Sequence, residues 1–328
     1  MKLIPGWVLL LLVGLISSYL SEFVVVGGKH PLEASAVAIV LGILLCNFVS
    51  LPKFFDAGIK AAEKLLVVGI VLLGAALNVS NITAQGLPLL RVIVGTMSSG
   101  FLLIFFLGRW FLLSESLALL LAVGTAICGT SAIAITAPLI KAQDEETSYA
   151  VATVALWGLV AILVYPLLAR MLQVPDFIFG VFAGTAIHST PQVVGAGYIY
   201  SDFAGQTATA VKLVRNCFMA PLAIVVALLY RRKGEGAVSN INFAKAFPWF
   251  VFGYFLFARC STKGYFTKEG VDAFSAAGKF LILLGMAGIG FNTSIASFRN
   301  VGFRPLIVSG FGTALLAVVG AAMIWATL

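Results

Sequence analysis

The stretch GTAIHSTPQVVGAGYIYSDFAGQTATAVKLVRNCFMAP, residues 184–221, places polar and ionisable side chains inside a long hydrophobic sequence. Pro191 stands in it where a continuous helix would need a backbone N–H. Polar groups within a hydrocarbon layer are costly, so they typically mark a transport pathway or a binding site. The candidate site residues of this stretch are His188, Ser189, Thr190, Gln192, Lys212, Arg215 and Asn216.

The composition is that of a polytopic membrane protein. Mean hydropathy is +1.06; 61% of the residues are hydrophobic and 10% are charged, against about 25% charged residues in a soluble domain. Apolar runs of about 20 residues, the length that crosses a bilayer as helix, recur along the chain. We predict an all-α fold of about 10–11 transmembrane helices in a single domain, residues 1–328. The hydrophobic segments cover approximately 5–26, 34–50, 59–78, 87–110, 116–141, 146–172, 176–200, 203–231, 243–260, 270–292 and 303–327.

The net charge of +8 comes from basic residues spread over short loops. This distribution excludes the basic stripe of a nucleic-acid-binding protein and is typical of topology signals. Lys and Arg counted on alternate sides number twelve and six, which predicts a cytoplasmic N-terminus and, with eleven spans, an external C-terminus. The larger set is Lys2, Lys53, Lys60, Lys64, Arg109, Arg170, Arg231, Arg232, Lys233, Lys245, Arg299 and Arg304, and the smaller set is Lys29, Arg91, Lys141, Arg259, Lys263 and Lys268.

An internal repeat links two distant segments. The third, AAEKLLVVGIVLLGAALNVS from Ala61, resembles the tenth, AAGKFLILLGMAGIGFNTS from Ala276. The two are seven positions apart in the order of segments, and an odd difference implies opposite directions through the membrane, the signature of inverted repeats in secondary transporters. The repeat-related regions lie near 61–110 and 276–325.

A shorter pair, GTAICGTSAIA from Gly124 and GTAIHSTPQVV from Gly184, begins with four identical residues. On this segment count the two run in the same direction, whereas an inverted pair must run in opposite directions. Three explanations stay open: the count is wrong, one segment is re-entrant, or the match is chance.

Small and polar residues interrupt the segments near 116–141 and 176–200. They are Gly129, Thr130 and Ser131 in the first segment and Ser189, Thr190 and Pro191 in the second. Gly lowers helix propensity, Pro removes a donor, and Ser or Thr caps a following helix, so each segment is predicted to divide into two half-helices. The free N–H groups of each second half-helix would then form an anion site. Close helix packing is the alternative role for such small residues.

Lys212 and Arg215 are three residues apart and share one helix face, with Asn216 following. We expect the two cations to neutralise a bound anion, Arg215 through its planar fork and Lys212 as a point charge. Anchoring at the membrane interface is the alternative. The thirteen acidic residues fall at segment ends or in loops, whereas cation–proton exchange usually needs a buried carboxylate.

His188 is the one histidine within a segment. It is a candidate proton carrier, and a neutral, hydrogen-bonded histidine that shapes the break is an equally good interpretation. The four cysteines show no paired spacing, so we expect unbridged packing residues. No metal or cofactor is predicted, and coupling to H⁺ or Na⁺ stays open.

The patterns AICGTSAIAITAP from Ala126, GTAIHSTPQVVGAG from Gly184 and ATAVKLVRNCFMAP from Ala208 resemble the YeiH family of bacterial inner-membrane proteins, which are often called sulfate exporters. The likeness extends over nearly the whole chain. That family is similar in turn to the sodium–proton antiporters and bile-acid symporters, which implies two crossed broken helices and elevator-type motion of a core domain against a scaffold domain. Many relatives have an acidic residue after the histidine, where this chain has Ser189.

We therefore predict a secondary transporter of a small anion such as sulfate, a related oxyanion or an organosulfonate, and the resemblance implies export. A sodium- or proton-coupled importer of an organic anion is the alternative, and a membrane scaffold or receptor is a remote one. An intramembrane hydrolase using Cys128, Ser131 or Ser189 with His188 would lack the acidic partner of a triad, so we expect no enzymatic activity. The expected partners are the anion and the lipid bilayer, with homodimerisation left open and nucleic acid excluded.

The charge count predicts that the loop around Arg231–Lys233 is cytoplasmic. A single cysteine at Gly234, in a background without the native cysteines, should resist a membrane-impermeant thiol reagent in intact cells and react after permeabilisation. Ready labelling in intact cells would show that the orientation is reversed.

Overall fold

A computed structural model describes residues 3–23, 34–77, 86–232, 249–293 and 302–328. All regular elements in these ranges are helical, and each of the eleven predicted segments corresponds to at least one helix. The first half of the chain forms α1 (Ile4–Phe23), α2 (Ala34–Phe48), α3 (Asp56–Lys60), α4 (Ala62–Leu73), α5 (Gly86–Trp110), α6 (Glu115–Ala126), α7 (Thr130–Leu139) and α8 (Asp144–Met171). The second half forms α9 (Asp176–Ala186), α10 (Thr190–Tyr200), α11 (Asp202–Asn216), α12 (Met219–Arg232), α13 (Phe250–Thr262), α14 (Lys268–Phe291) and α15 (Phe303–Thr327).

Six helical stretches in the described part of the chain are long and apolar enough to cross a membrane. Five shorter apolar helices accompany them, and among these are α6, α7 and α9. Large hydrophobic side chains are exposed along the long helices, for example Leu15, Phe106 and Trp325. Because a lipid-facing helix surface is apolar, this pattern confirms the prediction of an all-α polytopic membrane protein.

The helices form two compact units. The first contains α1–α4, α13, α14 and residues 198–206, and the second contains α5–α9, α12, α15 and most of α10 and α11. All the candidate site residues belong to the second unit. Its core is a cluster of buried apolar side chains that includes Ile104, Leu120, Ile133, Val154 and Val308.

In the first unit, α4 and α14 pack closely through small residues. A Cβ atom built on Gly285 would lie 2.6 Å from Leu66 Cβ, and one built on Gly69 would lie 2.8 Å from Gly278 O. Leu66 contacts Gly285, whereas the later residue Gly69 contacts the earlier residue Gly278. These repeat-related helices are therefore antiparallel. That is the relative direction that the inverted repeat predicts, and small residues are what allow membrane helices to approach so closely.

In the second unit, the chain bends sharply between α6 and α7. A Cβ atom built on Gly124 of α6 would lie 2.7 Å from Cδ1 of Ile133, nine residues further along. In a continuous helix nine residues span about 13.5 Å. The segment therefore bends sharply at the break and does not continue as one straight helix.

Replacing Gly278 by alanine should destabilise the first unit. Its added Cβ would lie 2.8 Å from Leu73 Cγ and 3.0 Å from Gly69 O, and overpacking of this kind costs about 1–3 kcal/mol. Gly86→Ala is the matched control, since no atom lies within 4 Å of its Cβ position. Thermal unfolding of the purified protein in detergent measures both, and equal melting temperatures for the two variants would contradict this packing.

Candidate functional site

The two helix breaks meet in the second unit. Between α6 and α7 the chain passes through Gly129, which has φ 75° and ψ −133°, a conformation that strongly favours glycine. Between α9 and α10 it passes through Ile187, His188 and Ser189. A Cβ atom built on Gly129 would lie 3.1 Å from Ser189 Cβ, so the breaks are in contact. This confirms the predicted division of both segments into half-helices.

Arg215 binds the C-terminal ends of both first half-helices. Its guanidinium donates to Ala126 O (2.8 Å) and Thr125 O (2.9 Å) of α6. It also donates to Thr185 O and, at 3.5 Å, to Gly184 O of α9. The last carbonyls of a helix have no intrahelical partner and carry the negative end of its dipole, so a cation here satisfies both ends at once.

Lys212 makes the same kind of link one turn earlier on α11. Its ammonium donates to Ile127 O (2.8 Å), Ile187 O (2.9 Å) and His188 O. Three acceptors match the three N–H donors of a lysine. Lys212 and Arg215 are both 0% exposed, so neither extends to the membrane interface.

The carbonyls that the cations bind occupy matching positions in the two GTAI segments. Thr125 and Thr185 both bind Arg215, while Ile127 and Ile187 both bind Lys212. Each pair is separated by sixty residues, as are Gly129 and Ser189 at the contact between the breaks. This correspondence argues against a chance match between the two segments.

The sequence predicted that these cations would bind an anion directly. In the structure Lys212 uses all its donors, and Arg215 most of its donors, on backbone carbonyls. Sequence reasoning considered the N-terminal ends of the second half-helices and overlooked the C-terminal ends of the first. The overlooked signal is that each break leaves several carbonyls without partners in an apolar interior, where unpaired groups are costly.

The second half-helices begin differently. In α10, the side chain of Gln192 accepts from the N–H of Ser189 (3.2 Å) and donates to Ala155 O of α8 (3.2 Å). This is one half of a capping box, and Pro191 contributes no N–H. Gln192 therefore supports the break in this arrangement, close against Gly158 of α8.

The start of α7 has no cap from its N-cap residue, and the Cys128 sulfur lies at the backbone N–H of Ala132. Gly129 provides no side chain there, and the first intrahelical bond is Ile133 N to Gly129 O at 3.3 Å. The N–H groups of Thr130 and Ser131 precede that bond, and no acceptor for them is found in the described part of the chain. Thr130 is half-buried and Ser131 is exposed. The open N-terminus of α7 is thus the more accessible of the two.

Asn216 and His188 lie beside the breaks. Asn216 Nδ2 donates to Thr190 Oγ1 at 2.9 Å, while its Oδ1 is buried without a partner. His188 is 0% exposed and its Nε2 is 3.1 Å from Thr313 Oγ1 of α15. No sequence pattern indicates Thr313, because this partner comes from a distant helix.

Every buried charge among the described residues is positive. Lys212 and Arg215 are buried, whereas no Asp or Glu in these ranges is. The same ranges contain no cluster of His, Cys, Asp and Glu that could hold a metal ion. Among the described residues, the two buried cations therefore have no buried carboxylate as a counter-ion.

The fold and the site define a multi-pass α-helical membrane protein with two interrupted helices. The chain belongs to the family described as Conserved hypothetical protein 698, whose model matches residues 5–309. It is similar to UPF0324 membrane proteins of Bartonella henselae, 33% identical over 90% of this chain and 85% of that protein, and of Agrobacterium fabrum, 31% identical over 99% and 93%. Another, from Streptococcus pyogenes, is 32% identical over 98% and 97%. The resemblance to the YeiH family is confirmed. The names of these relatives identify them as membrane proteins and do not name a substrate.

Removing the charge of Lys212 should destabilise the protein. Lys212→Met keeps the length of the side chain but leaves three buried carbonyls unpaired, each costing about 1–3 kcal/mol. Lys279→Met is the matched control: Lys279 is 43% exposed in an ion pair with Asp202, and exposed pairs contribute about 0–1 kcal/mol. A lower melting temperature for Lys212→Met alone is expected. Equal melting temperatures would show that the carbonyls do not depend on Lys212.

Proposed function

We propose that this protein is a secondary transporter of a small anion such as sulfate, a related oxyanion or an organosulfonate. The observation that carries the proposal is the pair of fully buried cations beside two half-helix N-termini, without a buried carboxylate in the described residues. Backbone carbonyls solvate the cations as dipoles, but they do not cancel the two charges. An anion would do so.

The gain available to the anion is large enough to matter even without direct contact. At an effective dielectric constant of about 20, unit charges about 6 Å apart attract by about 3 kcal/mol. The N–H groups and hydroxyls of Thr130 and Ser131 supply short-range donors at the open end of α7, and hydrogen bonds to a charged group contribute about 1.5–3 kcal/mol. Ser189 and Thr190 adjoin this end across the contact between the breaks.

Two further features support transport over a static receptor. The antiparallel α4 and α14 and the matched contacts of the two GTAI segments are what inverted repeats would produce, and such repeats underlie alternating access. Elevator-type motion is part of the proposal on the strength of the family resemblance. The proposal also includes export as the direction of transport, the bacterial inner membrane as the location and a cytoplasmic N-terminus.

The other candidate functions have less structural support. A coupled importer of an organic anion would use the same site and differ only in direction and coupling. Hydrolysis would need a nucleophile hydrogen-bonded to His188, but Nε2 faces Thr313 and Nδ1 has no partner among the described residues. We assign no catalytic residue.

Flux through purified protein tests the function. Proteoliposomes should take up radiolabelled sulfate or isethionate when the lumen is made positive, and unlabelled anion on the opposite side should accelerate exchange. Liposomes without protein are the baseline. Absence of flux for both anions, together with flux of sodium, would contradict the proposal.

Ser131 variants separate backbone from side-chain binding at α7. Ser131→Pro removes one N–H and the hydroxyl but stays compatible with a first helical turn, as Pro191 does at the matching place in α10. Ser131→Ala removes the hydroxyl alone. We expect Ser131→Pro to weaken sulfate affinity by about tenfold or more, roughly 1.4 kcal/mol, and Ser131→Ala to weaken it less. Calorimetry measures both affinities, and wild-type binding by Ser131→Pro would place the anion elsewhere.

A further inference from the structure

The hydrogen bonds of Thr313 define which nitrogen of His188 carries the proton. Thr313 Oγ1 donates its hydrogen to Ser309 O at 2.8 Å. The same oxygen is 3.1 Å from His188 Nε2, and with its one hydrogen directed to Ser309 O it accepts there, so we assign the proton of the neutral ring to Nε2. Nδ1 is therefore the basic nitrogen of the neutral ring. It is buried and has no hydrogen-bond partner.

The charged groups that act on this imidazole are both positive. Lys212 of α11 donates to the carbonyls of His188 itself and of Ile187. Arg215, also of α11, donates to Thr185 O three residues earlier. α15 presents Thr313 and Ser309, which carry no charge. The break between α6 and α7 contributes the buried thiol of Cys128 beside the two cations.

A proton on Nδ1 would create a third positive charge in this cluster, with no buried carboxylate in the described residues to balance it. Like charges in a medium of low dielectric constant repel strongly. The ring is therefore held neutral until a negative charge enters the site. A bound anion supplies that charge and removes the penalty.

We propose that His188 Nδ1 is a coupling-proton site whose occupancy is linked to the anion. This inference rests on the proposed function. The proton adds to the Nδ1 lone pair, and the imidazolium and the anion then stabilise each other reciprocally. Transport of a sulfate dianion with one proton moves one net negative charge. An inside-negative potential would still favour its export.

Proton uptake on anion binding is the direct test. Sulfate is a suitable probe because it does not itself titrate between about pH 5.5 and 8.5. Its binding enthalpy to the full-length protein is measured by calorimetry in two buffers of different ionisation enthalpy, and the difference gives the protons taken up. We expect uptake approaching one proton per sulfate near neutral pH. We also expect the affinity to strengthen by up to about tenfold for each unit of acidification.

The two histidines of the chain provide a matched pair of variants. His188→Gln should bind sulfate without proton uptake and with an affinity that no longer depends on pH, whereas His30→Gln should take up the proton as wild type does. If His188→Gln does not fold, the slope of wild-type affinity with pH decides.

Each outcome has a distinct meaning. Sulfate binding without proton uptake and with no pH dependence in wild type would overturn the coupling site alone. Uptake that persists in His188→Gln would assign the proton to a group other than His188 and overturn it as well. Failure of wild type to bind either sulfate or isethionate would contradict the proposed function itself, and the coupling site with it.

Discussion

The arrangement of the second unit depends on two cations that satisfy the C-terminal carbonyls of two interrupted helices. A helix that stops within an apolar interior leaves up to four carbonyls without partners, and water is absent there to solvate them. Lys212 and Arg215 supply seven hydrogen bonds to these groups from one face of α11. One helix thus fixes both breaks, and the breaks fix each other at Gly129 and Ser189.

The same interaction explains why the site would select for negative charge. Positive groups neutralise the negative ends of α6 and α9, while the positive ends of α7 and α10 keep their N–H groups. Gln192 and Pro191 reduce the free donors of α10, and Thr130 and Ser131 leave those of α7 open. The centre is therefore asymmetric: α7 and α10 both lie beside the two buried cations, but α7 has more free N–H donors than α10.

Much of this was predictable from sequence, since breaks and buried ionisable residues have strong local signals. Gly129 indicates one break because glycine favours positive φ, and Pro191 indicates the other because proline lacks a backbone N–H. The matching GTAI motifs indicate that the two regions are related. The hydrogen-bond partners of Lys212, Arg215 and Gln192 were not predictable. Their acceptors belong to other helices, and only the packing of the helices brings them within reach. Thr313 lies 125 residues from His188, and no periodicity connects residues at that distance. The bend between α6 and α7 likewise brings Gly124 against Ile133. The lengths and order of the hydrophobic segments do not indicate this contact.

In the proposed function, a transported anion neutralises a buried, positively charged centre. The sign of the charge that the protein moves tests this most directly. Proteoliposomes adsorbed on a solid-supported membrane report that sign as a transient current when a solution is changed rapidly. On addition of sodium sulfate in place of sodium gluconate at constant pH and sodium concentration, the account predicts a current of inward negative charge that is absent from protein-free liposomes. A current that follows sodium and is indifferent to the anion would contradict it.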